Sequence, residues 1–195
     1  METTGQTFYF SQPGPINTER TLEIVLNRAA ALRIGTILVA STSGSTAVKA
    51  ATLLKDFTVV AVSHSTGFQR PYHQEFKAEN AEILKEKGIR ILTTTHAFGG
   101  IGRSVRKKFG TYETDEIIAF TLRTFGQGVK VAAEITLMAA DAGLVPEGKP
   151  VIALAGSGSG ADTAVVLLPT NAQTFFDLKF LEILCMPSPE HPAFF

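Results

Sequence analysis

The run Phe57-Thr58-Val59-Val60-Ala61-Val62 carries no polar alternation, the pattern of a strand buried on both faces of a parallel sheet. Comparable runs predict further strands at Thr36-Ile37-Leu38-Val39-Ala40, from Ile89 to Thr93 and from Val151 to Ala155. Between them the period changes to that of a helix. Leu22, Val25, Leu26, Ala29 and Ala30 follow i, i+3, i+4, i+7, i+8 spacing, which predicts a helix from Asn17 or Thr18 to about Leu32. An alanine-rich segment from Ala47 to Leu54 predicts a second. A third is expected from about Gln74 to Lys87, with Phe76, Ile83 and Leu84 as its inner stripe and Gly88 as its stop.

The first half therefore reads α-β-α-β-α-β, a doubly wound parallel sheet. A long glycine-rich and basic connection is expected from His96 to Thr111. Two helices follow, about Thr114 to Phe125 and Val129 to Ala142. The second is apolar on most sides (Val131, Ala132, Ile135, Leu137, Met138), as a buried central helix would be, with Lys130, Glu134 and Asp141 as its polar stripe. The run Thr163 to Leu168 follows Val151 to Ala155 after a loop too short for a parallel crossover, so that pair is expected to be antiparallel. Phe180 to Cys185 is a candidate strand, and Thr7-Phe8-Tyr9-Phe10 an edge strand or apolar arm. The expected architecture is an α/β, doubly wound three-layer sandwich: a mostly parallel sheet with an antiparallel last strand. No composition shift divides the chain, so a single domain is expected over 1–195, with 1–17 as an N-terminal arm and 187–195 as a Pro-rich tail.

Composition narrows the partners. The 195 residues are 45% hydrophobic and 18% charged, with a formal net charge of zero. No global field attracts nucleic acid or an anionic membrane, so neither is an expected partner. No apolar run approaches the ~20 residues that span a bilayer, and the first residues do not have the order of a signal peptide. The single cysteine, Cys185, forms no internal disulfide and reads as a small buried hydrophobe, which fits a reducing cytoplasm. Metal-ligand spacings such as H-x-x-x-H or C-x-x-C are absent, and no metal is expected.

Candidate chemistry gathers where ligands bind in open parallel sheets, beyond the carboxyl ends of the strands. Four loops fall on that edge. The first, Ser41-Thr42-Ser43-Gly44-Ser45-Thr46, joins a strand to a helix. Its hydroxyls, with the unpaired N–H groups and dipole of the helix start, form a candidate phosphate cradle. It is neither a Walker A loop nor a dinucleotide fingerprint, and no acidic residue ends the next strand, so NAD is disfavoured. The second loop holds Ser63 and His64. The third holds His96, Gly99, Gly100 and Gly102, followed by Arg103, Arg106, Lys107 and Lys108 as a candidate second anion contact. The fourth is Gly156-Ser157-Gly158-Ser159-Gly160, with Asp162 placed to orient it. Gly158 occupies the serine position of G-x-S-x-G, so a nucleophile elbow is unsupported. His64 or His96 is a candidate acid/base, and Phe68 or Tyr72 a candidate stacking ring.

The strand with Ser41 to Thr46, the apolar second strand and the late Gly156-Ser157-Gly158-Ser159-Gly160-Ala161-Asp162-Thr163 resemble the C-terminal α/β domain of pyruvate kinase. The likeness covers about Thr18 to Cys185. In the kinase this domain is regulatory, and its Thr-Ser-Gly type loop holds a phosphate of a sugar bisphosphate effector. The resemblance carries that role to Thr42, Ser43, Gly44, Ser45 and Thr46. The catalytic barrel is not in this chain, so the resemblance implies no kinase activity. It points to the stand-alone proteins of this domain family, for which flavin mononucleotide (FMN) is an expected ligand. Three functions remain open: a binding or sensor protein for a phosphorylated small molecule, a flavin-dependent oxidoreductase or an enzyme acting on a phosphate ester, and an oligomerising module using Phe8-Tyr9-Phe10 and Phe194-Phe195.

Overall fold

A computed structural model describes Glu2 and residues 4–191. Seven strands form one sheet: β1 (Phe8–Phe10), β2 (Thr36–Ala40), β3 (Thr58–Ser63), β4 (Arg90–Thr93), β5 (Val151–Ala155), β6 (Thr163–Leu168) and β7 (Lys179–Pro187). Their spatial order is β1-β7-β6-β5-β2-β3-β4. Strands β5, β2, β3 and β4 are mutually parallel. Strand β6 runs antiparallel to both neighbours, as the short loop before it predicts, and lies inside the sheet because β7 and then β1 are added beyond it. The six α-helices are α1 (Thr18–Leu32), α2 (Ser45–Leu53), α3 (Ala78–Glu86), α4 (Ile101–Phe109), α5 (Thr114–Arg123) and α6 (Gln127–Asp141).

The sheet is a two-sided core. One face carries Ile37, Val39, Val59, Ala61, Ile152 and Leu154 against Leu22 and Val25 of α1, Ala47 and Ala50 of α2, and Leu84 of α3. The other carries Leu38, Val60, Val62, Ala153, Ala155 and Val165 against Val129, Ala132, Ile135 and Met138 of α6. Alternate strand residues thus point to opposite helical layers, and both sets are apolar. A satellite cluster of Phe98, Ala119, Ala133 and Leu137 ties α5 to the outer side of α6.

Several local expectations change. The stretch from His96 to Thr111 contains α4, a helix with no buried residue whose last turn holds Arg106, Lys107 and Lys108, cations that suit the negative end of the helix dipole. Helix α3 begins at Ala78 rather than Gln74, because Gln74 to Lys77 pack across the loop after β2. Strand β7 extends to Pro187, which pairs with Phe10, so the first residue of the expected tail belongs to the sheet. The residues Phe8-Tyr9-Phe10 serve as that edge strand; Phe194 and Phe195 lie outside the described residues. Cys185 is fully buried, and burial pushes its thiol up to about 12, so it packs as an inert hydrophobe. Among the described residues no helix is long and apolar enough to cross a membrane.

Candidate functional site

The parallel strands β2, β3, β4 and β5 end on one edge, which brings their following loops together. The result is a cavity of about 480 Å³ between the start of α2 and the first half of α6, a size typical of small-molecule sites (~300–1,000 Å³). Ser41, Thr42, Ser43 and Thr46 line it from the first loop, and Ser63, His64 and Phe68 from the second. His96 comes from the third loop, and Gly156, Gly158 and Gly160 from the fourth.

The first loop is pinned from behind. The Ser43 carbonyl accepts hydrogen bonds from the Lys77 N–H (3.1 Å) and from Asn80 Nδ2 (2.9 Å). Gly44 has φ +91°, and a Cβ there would sit 2.6 Å from Asn80 Cβ and 2.7 Å from Phe76 Cε1. Only glycine suits both that backbone and that contact. Ser41 Oγ accepts from the Ala47 N–H at 3.3 Å and so caps α2. Among the described residues, the backbone N–H groups of Thr42, Ser43 and Thr46 have no acceptor in the chain. These cavity-lining donors stand at the positive end of a helix, an arrangement suited to an anion.

The second loop supplies rings. His64 Nδ1 lies 2.8 Å from Glu75 Oε2, and its Nε2 lies 3.4 Å from Thr42 Oγ1. The Phe68 ring sits between two imidazoles, 4.1 Å from His64 and 4.7 Å from His96, the latter stacked at 14°. The Arg103 guanidinium covers Phe68 at 4.7 Å. Tyr72, the other candidate stacking ring, is almost fully exposed. Ser63 is buried, with its hydroxyl 2.6 Å from Thr93 Oγ1.

The floor on α6 is charged. Glu134 Oε2 accepts a hydrogen bond from Lys130 Nζ and lies 3.7 Å from His96 Nδ1, while Oε1 accepts from the Phe98 N–H at 3.1 Å. Burial pushes the Glu134 carboxyl up, but the His96 hydrogen bond and the Lys130 ammonium together outweigh it and hold the group at about 2. Lys130 and Glu134 share one face by their i, i+4 spacing; Asp141, expected on the same stripe, instead accepts from Asn171 and the Ala172 N–H at the far end of the helix. At the mouth, Arg123 donates to Gln127 Oε1 at 2.7 Å. Neither Arg103 nor Arg123 has a carboxylate within ion-pair distance among the described residues.

The remaining sequence candidates fall around this cavity. Ser45 is exposed beside Ser43 and does not line the cavity. Gly99 and Gly100 border a neighbouring pocket with Arg103, and Gly102 packs against Asp115. Ser157 turns its N–H to Asp162 Oδ2 at 3.1 Å; the same oxygen accepts from the Gly14 N–H at 2.8 Å, and Oδ1 accepts from Thr163 Oγ1 at 2.8 Å. Asp162 therefore orients the glycine loop, and that loop's polar groups face the protein. Sequence reading missed Glu75, Gln127 and Arg123. Glu75 stands eleven residues from its histidine across an irregular loop, a spacing with no periodic signal.

The pyruvate kinase alpha/beta domain family matches residues 19–167. Among solved structures, a pyruvate kinase from Cryptosporidium parvum matches at 15% identity with a TM-score of 0.39, over 78% of this chain and 23% of the kinase. The chain spans less than a quarter of that enzyme's length.

Proposed function

This chain belongs to the pyruvate kinase alpha/beta domain family, and from that premise we propose that it binds a phosphorylated small molecule at the carboxyl edge of the sheet, as a binding or sensor protein, with FMN as the leading candidate. The observation that carries the reading is the pairing of two unlike surfaces in one cavity. The start of α2 offers N–H groups without acceptors at Thr42, Ser43 and Thr46. Beside it stand the rings of His64, Phe68 and His96. A phosphate suits the first surface, and a planar ring suits the second. Arg103 and Arg123 at the mouth add positive charge free of carboxylates, which favours an anionic ligand over a neutral one.

FMN fits this donor set. Thr42, Ser43 and Thr46 would hold its phosphate, and Phe68 with His96 would border its ring. When bound, a flavin supplies a two-electron acceptor. The chain's residues orient the phosphate, flank the ring and keep a buried charge pair, Lys130–Glu134, close to it. No nucleic acid or membrane partner enters the proposal.

Native mass spectrometry of the freshly purified protein, followed by titration with FMN, riboflavin and inorganic phosphate, tests it. The expected result is saturable FMN binding at least roughly tenfold tighter than riboflavin, and competition by phosphate. Equal affinity for FMN and riboflavin would remove the phosphate loop from the reading.

A further inference from the structure

Beyond ligand binding, the cavity holds three side chains in a relay that the binding reading does not use. Glu75 is largely buried, and its Oε2 is 2.8 Å from His64 Nδ1. A carboxylate on Nδ1 fixes the imidazole so that Nδ1 carries the proton and Nε2 is a free base. Nε2 lies 3.4 Å from the Thr42 hydroxyl. The Gln74 side chain donates to the His64 carbonyl at 3.1 Å, so the loop bearing both His64 and Glu75 is tied to itself. The ring is packed against Phe68 at 4.1 Å, with His96 at 5.3 Å behind it. An oriented base with a hydroxyl in reach is the signature of an activated nucleophile, and the separation is often loose before substrate arrives.

A second, independent observation stands on the other side of Thr42. The N–H groups of Ser43 and Thr46, at the start of α2, have no acceptor among the described residues. They are positioned to stabilise an oxygen that gains negative charge next to the Thr42 hydroxyl. A nucleophile, its base, the group that orients the base and free donors for an oxyanion thus meet in one cavity wall.

We propose that Thr42, His64 and Glu75 form an acyl-transfer set, and that the cavity hydrolyses a small carboxylic ester. Thr42 Oγ1 attacks the carbonyl carbon and forms the new C–O bond, while its proton passes to His64 Nε2. The carbonyl oxygen becomes the oxyanion against the Ser43 and Thr46 N–H groups. The bond to the leaving alcohol breaks, and the alcohol departs with the proton from His64. Water then attacks the Thr42 ester with His64 again as base, releasing the acid and restoring the hydroxyl. Thr42 and His64 are catalytic residues; Glu75 is a positioning residue. The proposal rests on the same loop as the phosphate reading, since a tetrahedral phosphate would occupy the place of the tetrahedral intermediate.

The full-length protein is incubated with p-nitrophenyl acetate, and the acetylated residue is located by peptide mass spectrometry. The expected result is an acetyl group on Thr42, formed at a rate that falls as pH is lowered, and slowed by inorganic phosphate. His64→Gln lowers the rate of Thr42 acetylation about a hundredfold or more. Glu75→Gln lowers it less and moves its pH profile toward lower pH, a change that a loss of packing alone does not produce. Thr42→Val removes the modification. Far-ultraviolet circular dichroism checks that each variant is folded. Absence of acetyl on Thr42 in the wild-type protein, or equal acetylation in folded His64→Gln, overturns the proposal. Phosphate binding measured by thermal shift on the same wild-type sample separates the two readings. Binding without Thr42 acetylation removes the acyl-transfer set and leaves the phosphate loop; acetylation without phosphate binding does the reverse.

Discussion

The loop after β2 and the loop after β5 border the same cavity, and they are held in opposite ways. The loop after β5 turns its polar groups inward: a fully buried Asp162 collects the N–H groups of Gly14 and Ser157 and the Thr163 hydroxyl. The loop after β2 is anchored only from behind, through the Ser43 carbonyl and Gly44, and leaves the N–H groups of Thr42, Ser43 and Thr46 without acceptors. Both loops are rich in glycine and serine, so composition does not separate them. What separates them is where their hydrogen-bonding capacity ends. A loop that satisfies itself is scaffold, and a loop with donors left over is a place for a ligand.

Four measurements break or sharpen that contrast. The largest effect is expected at the cavity floor, where the charge pair is as self-satisfied as the Asp162 loop. Glu134→Ala leaves Lys130 buried without its carboxylate and should cost about 3–5 kcal/mol in urea unfolding. The same carboxyl sets an acid limit. Its folded value, about 2, lies below its ordinary 4.5, so its contribution is complete above the unfolded value and is lost as pH falls from about 4.5 toward 2. A wild-type urea midpoint that stays flat across that window would remove Glu134 as a cause of acid sensitivity.

Next comes Asp162→Ala, which strands two backbone donors and a hydroxyl in a buried place and should cost roughly 3 kcal/mol. If the urea midpoint barely moves, the inward-turned loop is not what holds the N-terminal arm at Gly14. A third effect, roughly 2 kcal/mol, is expected for Gly44→Ala, which combines a positive φ with overpacking against Phe76 and Asn80. Its counterpart across the cavity, Gly158, has a nearly extended φ of 159°, and a Cβ added there would meet no atom within 4 Å; Gly158→Ala should stay within about 0.5 kcal/mol. Thermal unfolding of the two variants side by side checks the asymmetry, and equal losses would contradict it. The smallest effect is expected at Ser45, which is exposed and off the cavity. Ser45→Ala should change phosphate affinity by less than about threefold, under ~0.7 kcal/mol by the usual conversion, as read by calorimetric titration. A tenfold loss would extend the open loop to its outer rim.

The sheet was readable from the chain because its strands carry the signal themselves. Ile37 to Val39, Val59 to Val62 and Ile152 to Leu154 are apolar on both faces, and no helix of that length reads so. The antiparallel step into β6 followed from a connection too short to cross over. Helix α4 carries no such signal. It follows two glycines, buries no residue, and draws its order from neighbours such as Glu116, which pairs with Arg106 at 2.8 Å. The cavity was legible as an edge of the sheet and as a hydroxyl-rich loop. Its floor was not: Lys130 and Glu134 looked like a polar stripe, and burial of that stripe depends on α6 lying flat across the strand ends. Glu75 became visible only when an irregular loop folded it back onto His64.

The pairing of β1 with β7 joins Phe8 to Cys185, near the two ends of the described sequence. During synthesis the earliest strand emerges long before its only neighbour exists. Its hydrophobic rings must wait, unsheltered, until the last strand leaves the ribosome. Closure of that seam is therefore a late event of high contact order, and it gives a nascent chain a window in which a chaperone has something to hold.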